Sequence, residues 1–179
     1  QRKKLLTAKP NQGHIQLAEM EKDFNVTVIT QNIDDLHERG GSSHVIHLHG
    51  ELTKVCSSRD PNNPHFIKKR KPAEYETKVT DKAGDGSMLR PFIVWFGEGV
   101  PEIETAIEYV EKADIFVIIG TSMVVYPAAG LLNYVPRNAE VYLIDPKPVE
   151  THTYRNIHFI QKGASAGVAE LRTLLAAEK

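Results

Sequence analysis

Cysteine, long apolar runs and net charge are all scarce in this chain, and each shortage excludes a class of protein. Cys56 is the single cysteine in 179 residues, so no internal disulfide can form and a reducing, cytoplasmic environment is expected. The longest strongly apolar run, residues 115–119, is far too short to cross a bilayer. A net charge of -1 gives no general attraction to nucleic acid or anionic membranes, so we expect neither as a partner.

What remains is the composition of an ordinary globular domain, with 41% hydrophobic and 25% charged residues. Short apolar stretches alternate with segments of helical periodicity, which favours an α/β fold with a parallel sheet wound by helices on both faces. The predicted strands are residues 26–30, 45–48, 92–96, 114–119, 141–144 and 157–160. The predicted helices include residues 33–39, one opened by Pro127, and a final one marked by Val168, Leu171, Leu174 and Leu175.

Residues 57–86 differ from the rest of the chain in composition. They contain three prolines, the basic run 68–71 and a Gly-Asp-Gly sequence, with little apolar periodicity. We predict a small inserted module here, which divides a main domain made of residues 1–56 and 87–179. The basic run is interpreted as a solvated loop, because no aromatic stacking pattern accompanies it.

Three polar side chains follow the first predicted strand, at the point where a helix should begin. Gln31, Asn32 and Asp34 can together recognise a carboxamide, since Asp accepts from its NH2 group and Asn can donate to its C=O group. Asn32 and Asp34 are also good helix caps, and capping is the commoner role of such residues. Both interpretations stay open from the residues alone.

A histidine followed by glycine ends the second predicted strand. Gly50 permits a sharp turn and a close ligand approach, and the imidazole of His49 is suited to proton transfer near neutral pH. His47 lies on the same predicted strand face, so a metal-binding pair is conceivable. A structural zinc site normally needs four ligands, and no second cysteine or paired histidine completes one, so we expect no metal.

A third polar turn, Gly120-Thr121-Ser122, follows the most apolar predicted strand and precedes a helix. A glycine and two hydroxyls at the carboxyl end of a strand suit contact with phosphate or ribose. Turns use these residue types routinely, so the motif is weak by itself.

Four elements taken together resemble the sirtuin family. They are QNID at 31–34 with HG at 49–50, GTS at 120–122, VYPAAG at 125–130, and RPFIVWFGE at 90–98, which is similar to the family's RPxVVWFGE. The resemblance implies a bacterial-type, class III, Rossmann-like NAD-dependent protein lysine deacylase that acts on acyl-lysine proteins or peptides. It covers roughly the C-terminal two-thirds of the family domain. The family's Gly-rich GAGxS phosphate loop has no counterpart here, so we expect the N-terminal portion to be missing.

The resemblance assigns roles around the reaction centre. Gln31 would contact the nicotinamide ribose, and Asn32 and Asp34 would line the nicotinamide pocket. The acyl oxygen would attack C1′ of that ribose as nicotinamide leaves. His49 would then act as general base on a ribose hydroxyl, and the products would be free lysine and O-acyl-ADP-ribose.

The resemblance also assigns the rest of the NAD site and the substrate cleft. The GTS loop would bind NAD, the turn at 163–165 resembles a late adenine-contacting loop, and the strand at 92–96 would pair with an extended peptide. The assigned residues are Gly120, Thr121, Ser122 and Ala164 for NAD, and Val94, Phe96, Val125 and Tyr126 for the acyl-lysine substrate. The family's Asn before the ribose-binding loop aligns with Leu143 here, so Asp145 is expected to contact the adenosine ribose instead, as carboxylates do in dinucleotide folds.

One further residue bears on acyl specificity. The subgroup that removes acidic acyl groups carries a Tyr-x-x-Arg pair upstream of a PNxxH element, and residues 10–14 match PNxxH. Arg2 falls where the Arg of that pair belongs, and an Arg can grip a carboxylate with charge-assisted bonds of roughly 1.5–3 kcal/mol. A preference for succinyl or malonyl groups is therefore a hypothesis, and solvent exposure is the default for a basic terminal residue.

The family usually carries four zinc-binding cysteines between its HG and RP elements, whereas only Cys56 lies in that interval here. We therefore expect no zinc, and the inserted module must be fastened in another way. Two other functional classes stay open. One is a non-catalytic NAD or ADP-ribose-binding domain of the same type, and the other is a protein ADP-ribosyltransferase that uses the same residues.

Overall fold

The computed structural model describes residues 1–120, 128–148 and 156–177. Within these ranges the helices are α1 (Arg2–Leu5), α2 (Gln12–Met20), α3 (Leu36–Gly40), α4 (Ile103–Val110) and α5 (Ala164–Ala177). The strands are β1 (Val28–Thr30), β2 (Val45–His47), β3 (Gly50–Ser57), β4 (Lys68–Lys69), β5 (Leu89–Ile93), β6 (Ile115–Ile119), β7 (Glu140–Ile144) and β8 (His158–Ile160). Short 3-10 helices span Pro64–Phe66, Pro72–Glu74 and Ala128–Tyr134. No helix in the described ranges is long and apolar enough to cross a membrane.

Parallel strand pairing confirms the predicted α/β class. Strand β6 pairs with β7, and β7 pairs with β8, all parallel, while β1 pairs in parallel with β2. We predicted one parallel sheet, whereas the parallel strands of the described residues form two separate ladders, β1-β2 and β6-β7-β8. No described strand lies between the two ladders to provide the missing backbone hydrogen bonds.

The two parallel ladders nevertheless share one apolar core. Ile46 of β2 packs in the same buried cluster as Ile118 of β6 and Leu143 of β7. Ala106 and Val110 of α4 close this cluster from one side, at 0% and 2% exposure. Side-chain burial of this kind contributes roughly 25 cal/mol for each Å² of apolar surface removed from water. The ladders are therefore fixed to each other by packing.

Helices α2 and α5 cover the opposite face of the three-stranded ladder. Val168, Leu171 and Leu175 of α5 are buried against Ile144 and Ile160, as their predicted helical spacing requires. Leu174, which was predicted with them, is 41% exposed on the outer side of α5. With α4 on one face and α5 on the other, the ladder is wound by helices on both sides.

Helix α3 begins later than predicted and ends as predicted. The prediction of residues 33–39 is wrong at its start, because the Ile33 carbonyl accepts from Leu52 N of β3 at 2.7 Å. The carboxylate of Asp34 accepts from Leu36 N at 3.0 Å, and the helix starts only there. Gly41 follows the helix with φ of 109°, a left-handed conformation that favours glycine.

The antiparallel sheet β4-β3-β5 corrects another prediction. The strand predicted at residues 92–96 runs instead from Leu89 to Ile93, and it pairs antiparallel with β3. The chain turns after Ile93, so that Trp95 and Phe96 are 53% and 106% exposed. Strand β3 was not predicted, because polar Glu51 and Lys54 interrupt its apolar pattern. Residues 57–86 connect the end of β3 to the start of β5.

Close packing at Gly167 generates a stability prediction. A Cβ atom at this position would overlap Cγ2 of Ile144, so Gly167→Ala must push α5 away from β7. We expect a loss of about 1–3 kcal/mol in the free energy of unfolding, measured by chemical denaturation. Gly99→Ala is the matched control, since a Cβ there meets nothing within 4 Å. Equal stability of the two variants would contradict the packing argument.

Candidate active site

The turn after β1 and the end of β2 form one hydrogen-bonded unit. Leu48 N donates to the Thr30 carbonyl at 2.9 Å, and Asn32 N donates to Oγ1 of Thr30 at 3.1 Å. Nδ1 of His49 lies 3.1 Å from the Gln31 carbonyl. The structure thus brings His49 next to the turn that carries Gln31, Asn32 and Asp34.

The contact between His49 and Gln31 fixes which ring nitrogen carries the proton in neutral imidazole. A carbonyl oxygen only accepts hydrogen bonds, so Nδ1 of His49 must donate to it. Nε2 of the neutral ring then keeps its lone pair and is the atom able to accept a proton. This is the arrangement that a general base requires.

Gly50 attaches this unit to strand β5. Its φ of 74° is left-handed, and a Cβ atom at this position would overlap the carbonyl oxygen of Phe92. Val94 N donates to the His49 carbonyl at 3.0 Å, just beyond this close approach. Only glycine satisfies both constraints, so the backbone of His49 is fixed against β5.

The polar turn combines a capping contact with an unmatched donor. One carboxylate oxygen of Asp34 accepts from Leu36 N, as the capping interpretation predicts. Nε2 of Gln31 is buried and has no hydrogen-bond partner among the described residues. A buried donor without an acceptor costs roughly 1–3 kcal/mol, so this amide favours a ligand that offers a hydroxyl or carbonyl oxygen. The side chain of Asn32 is exposed beside it.

His47 has a different environment from His49. Nδ1 of His47 lies 3.2 Å from the Asn32 carbonyl, and Nε2 lies 2.7 Å from Oε1 of Glu38. The ring is 8% exposed. No role was predicted for His47 from the sequence, although its two-residue spacing from His49 could have indicated that it faces the same turn.

The turn after β5 is closed by an ion pair that the sequence analysis also missed. Both terminal nitrogens of Arg90 donate to Glu98, at 2.7 and 2.9 Å, and Glu98 also accepts from Trp95 N at 3.0 Å. The hydrogen bond from Arg90 lowers the pKa of Glu98 to about 2. The sequence signal for this ion pair was the presence of Arg90 and Glu98 within one strand-turn element. This pair holds the turn in which Val94 is half-buried and Phe96 is exposed.

Three more predicted NAD residues, Gly120, Asp145 and Ala164, lie near the carboxyl end of the three-stranded ladder. Gly120 has φ of 58° and donates from N to the Ile144 carbonyl at 3.0 Å. Asp145 follows Ile144, and its carboxylate accepts from Lys147 N at 2.8 Å. Ala164 opens α5. Thr121, Ser122, Val125 and Tyr126 lie outside the described residues.

Arg2 is buried and bonded to protein acceptors, which contradicts the default expectation of solvent exposure. Its guanidinium donates to the carbonyls of Leu52 at 2.6 Å and Lys54 at 3.0 Å, and to Oγ1 of Thr77 at 2.8 Å. The residue is 8% exposed. These bonds tie the start of the chain to β3 and the inserted segment, and a role in binding an acyl carboxylate would require exchanging them.

The inserted segment is fastened by hydroxyls and a carboxylate. Oγ of Ser57 donates to Asp85 at 2.6 Å, lies 2.8 Å from Oγ of Ser87, and accepts from Arg59 N and Asp60 N at 3.0 Å each. Ser57 is 0% exposed. A four-cysteine zinc site does not fit these residues, because Cys56 is the one thiol and contacts the Pro91 carbonyl instead.

Comparison with known proteins places this geometry in context. The sequence profile of the Sir2 family matches residues 1–127. The chain is 77% identical to an NAD-dependent protein deacylase of Bacteroides thetaiotaomicron over 174 residues, which cover 97% of this chain and 74% of that protein. It is 45% identical to an NAD-dependent protein deacylase of Helicobacter pylori over 170 residues, covering 95% and 72% of the two chains.

Solved structures show the same fold. A Sir2 homologue in complex with NAD matches 99% of this chain and 69% of its own, with 36% identity and a TM-score of 0.81. Sir2Tm bound to a propionylated peptide matches 96% of this chain and 73% of its own, with 28% identity and a TM-score of 0.78.

The Ser57 network yields a prediction about stability and metal. Ser57→Ala removes a buried hydroxyl with several partners and should cost about 1–3 kcal/mol of unfolding free energy, with exposed Ser58→Ala as the control. Hydrogen bonds from Ser57 and Ser87 lower the pKa of Asp85 from 3.8 to about 2. The stabilisation is therefore complete above pH 3.8 and is lost as pH falls toward 2, so the effect of Ser57→Ala should shrink there. A chelator should leave the denaturation midpoint of the wild-type protein unchanged. A lower midpoint in the presence of the chelator would refute the prediction that the inserted segment is held without a metal.

The buried contacts of Arg2 allow its two roles to be separated. Arg2→Met should lower the thermal midpoint, because the carbonyls of Leu52 and Lys54 lose their donor. The carboxylate-binding hypothesis adds that the ratio of succinyl to acetyl turnover falls in the full-length protein. Lys3→Met, at an exposed neighbour, is the control for both readouts. A destabilised variant with an unchanged ratio would leave Arg2 with the structural role alone.

Proposed function

The chain belongs to the Sir2 family, and from this premise we propose that the turn at residues 30–34 and His49 form the catalytic centre of an NAD-dependent protein deacylase. The observation that carries this assignment is the contact between Nδ1 of His49 and the Gln31 carbonyl. It joins a proton acceptor to a turn that offers a buried, unmatched amide donor.

The residues of the turn fit NAD. The unmatched Nε2 of Gln31 is placed to donate to a ribose hydroxyl. Asn32 and Asp34 are the groups proposed for the carboxamide of nicotinamide, and one oxygen of Asp34 stays engaged with Leu36 N. NAD supplies the ADP-ribosyl group to which the acyl group is transferred as nicotinamide leaves. The proposed adenosine side comprises Gly120, Thr121, Ser122, Asp145 and Ala164.

The chain's part in the chemistry is a proton transfer to His49. Nε2 of the neutral ring accepts the proton of a ribose hydroxyl, and the Gln31 carbonyl keeps Nδ1 protonated and the ring oriented. The carbonyl also stabilises the imidazolium that forms, because the donated bond strengthens when the ring becomes charged. Gly50 holds the backbone of this histidine against Phe92, so the base has little positional freedom.

The acyl-lysine substrate is proposed to lie along the turn after β5. Exposed Trp95 and Phe96 offer apolar surface beside the half-buried Val94, and the Arg90–Glu98 pair keeps this turn in shape. Val125 and Tyr126 are proposed for the other side of the cleft. The propionylated peptide bound to Sir2Tm is an acylated ligand of the expected kind. We further propose that residues 57–86 form a separate small module beside this cleft, attached to the main domain of 1–56 and 87–179.

The test of this assignment is a His49→Asn variant of the natural full-length protein. Nicotinamide release from NAD with an acetyl-lysine peptide should fall by about 10²–10⁴-fold, the range for loss of a general base. Equilibrium binding of NAD should change little, since His49 contacts the backbone carbonyl of Gln31 and not the side chains proposed to bind the nicotinamide carboxamide. His44→Asn, just before β2 and at the opposite end of this strand from His49, is the matched control.

The alternative classes give different results in the same assay. A non-catalytic binding module would bind NAD and release no nicotinamide in either form. An ADP-ribosyltransferase would release nicotinamide while the protein product gains the mass of ADP-ribose and the peptide keeps its acyl group. Full activity of His49→Asn would overturn the role of His49 as base.

A further inference from the structure

His47 is a buried histidine whose two ring nitrogens both face acceptors. Nδ1 lies 3.2 Å from the backbone carbonyl of Asn32, and Nε2 lies 2.7 Å from a carboxylate oxygen of Glu38. The ring is 8% exposed and sits at the end of β2, between α3 and the polar turn. The proposed function gives this residue no role.

Proton counting at these two contacts determines the charge of the ring. A backbone carbonyl has no proton to donate, and an ionised carboxylate has none either. Both contacts are hydrogen bonds only if both nitrogens of His47 carry protons, which makes the ring an imidazolium. The carboxylate of Glu38 balances that charge across 2.7 Å. The pair is therefore a charge-assisted bridge from α3 to the turn.

We propose that the protonated His47, held by Glu38, positions the Asn32 carbonyl and thereby the nicotinamide pocket, so that NAD binding weakens as the ring loses its charge. The inference rests on the proposed function, because Asn32 is a proposed nicotinamide contact. His47 is a positioning residue here, since it reaches the pocket only through the backbone of the turn.

Loss of one proton removes the bond that matters for the pocket. A neutral imidazole keeps a single N–H, and the carboxylate of Glu38 competes for it more strongly than an uncharged carbonyl does. The proton therefore stays on Nε2, and the bond to the Asn32 carbonyl is lost. The turn then has one fewer restraint on the residue that faces nicotinamide.

The carboxylates around the ring favour its protonated form. Burial lowers the pKa of His47, but the hydrogen bonds to Glu38 and the Asn32 carbonyl, with the charges of Glu38 and Glu51, raise it above 6.5 overall. Desolvation of the partly exposed Glu38 carboxylate raises its pKa, but the hydrogen bond from His47 is among the causes that lower it overall. The charge of His47 is in turn among the causes that lower the pKa of His37 of α3, and Lys54 of β3 is paired with Glu51.

A metal ion is a weaker interpretation of the same cluster. Glu38, His47 and Glu51 place ligand atoms within 4.8 Å of one another. The ammonium of Lys54 already pairs with Glu51, and a ligating His47 would have to give up a ring proton that its two acceptors require. The hydrogen-bonded arrangement accounts for every atom without a cation.

The test compares steady-state kinetics of the natural full-length protein across pH. In wild type, the KM for NAD should rise several-fold between about pH 6.5 and 9, with kcat at saturating NAD nearly constant over the alkaline part. His47→Gln keeps one donor and cannot titrate, so its KM for NAD should be raised at low pH and flat above it. Glu38→Gln keeps an acceptor without charge, so the rise in KM should begin at lower pH than in wild type.

A matched control and distinct outcomes separate the test of the His47 role from the test of the proposed function. His44→Gln, just before β2 and at the opposite end of the strand from the turn, should follow the wild-type profile. Glu38 is exposed, so Glu38→Gln tests the idea even if His47→Gln fails to fold. An active wild type with a flat KM for NAD, or an unshifted profile in Glu38→Gln, overturns the role of His47 alone. Absence of turnover in wild type with its peptide substrate would instead refute the proposed function.

Discussion

The contact between a strand-end histidine and a backbone carbonyl is the constraint on which the site depends. His49 and His47 lie two residues apart at the end of β2, and they contact the carbonyls of Gln31 and Asn32, which are neighbours in the facing turn. Because β1 and β2 are parallel and in register from Val28 and Val45 onward, turn and histidines arrive at the same edge. The shape of the pocket is thus set by strand register.

Packing of β2 into the apolar core fixes this strand register relative to the rest of the molecule. Ile46 and Leu48, the residues that alternate with the two histidines, point into the core shared with β6 and β7. One side of strand β2 therefore packs in the core and the other side contacts the turn. A shift of its pairing register by one residue would exchange the side chains on these two sides. Gly50, the first residue of β3, then makes a close approach to Phe92 that no other residue allows.

Sequence reasoning predicted the elements whose period was strong. Residues 114–119 and 141–144 were correctly identified as strands because their apolar side chains are contiguous, and α5 was identified from Val168, Leu171 and Leu175. The antiparallel pairing of β5 was missed, since pairing direction depends on the distant strand β3. The proposed reaction centre was assigned by the family resemblance, since its residue types alone fitted helix capping equally well. The bonds of His47 with Glu38 and of Arg90 with Glu98 became visible only when the chain was folded.

The fastening of the inserted segment by Ser57, Asp85 and Ser87 has a consequence for exposure to oxidants. Thiolates that bind a metal are also the groups that peroxides and electrophiles attack, and their loss opens the module that they hold. Here the fastening atoms are oxygens, which that chemistry does not touch. Cys56 is 1% exposed, and burial raises the pKa of its thiol, so little thiolate forms. The module should therefore keep its shape under oxidative stress and metal starvation alike.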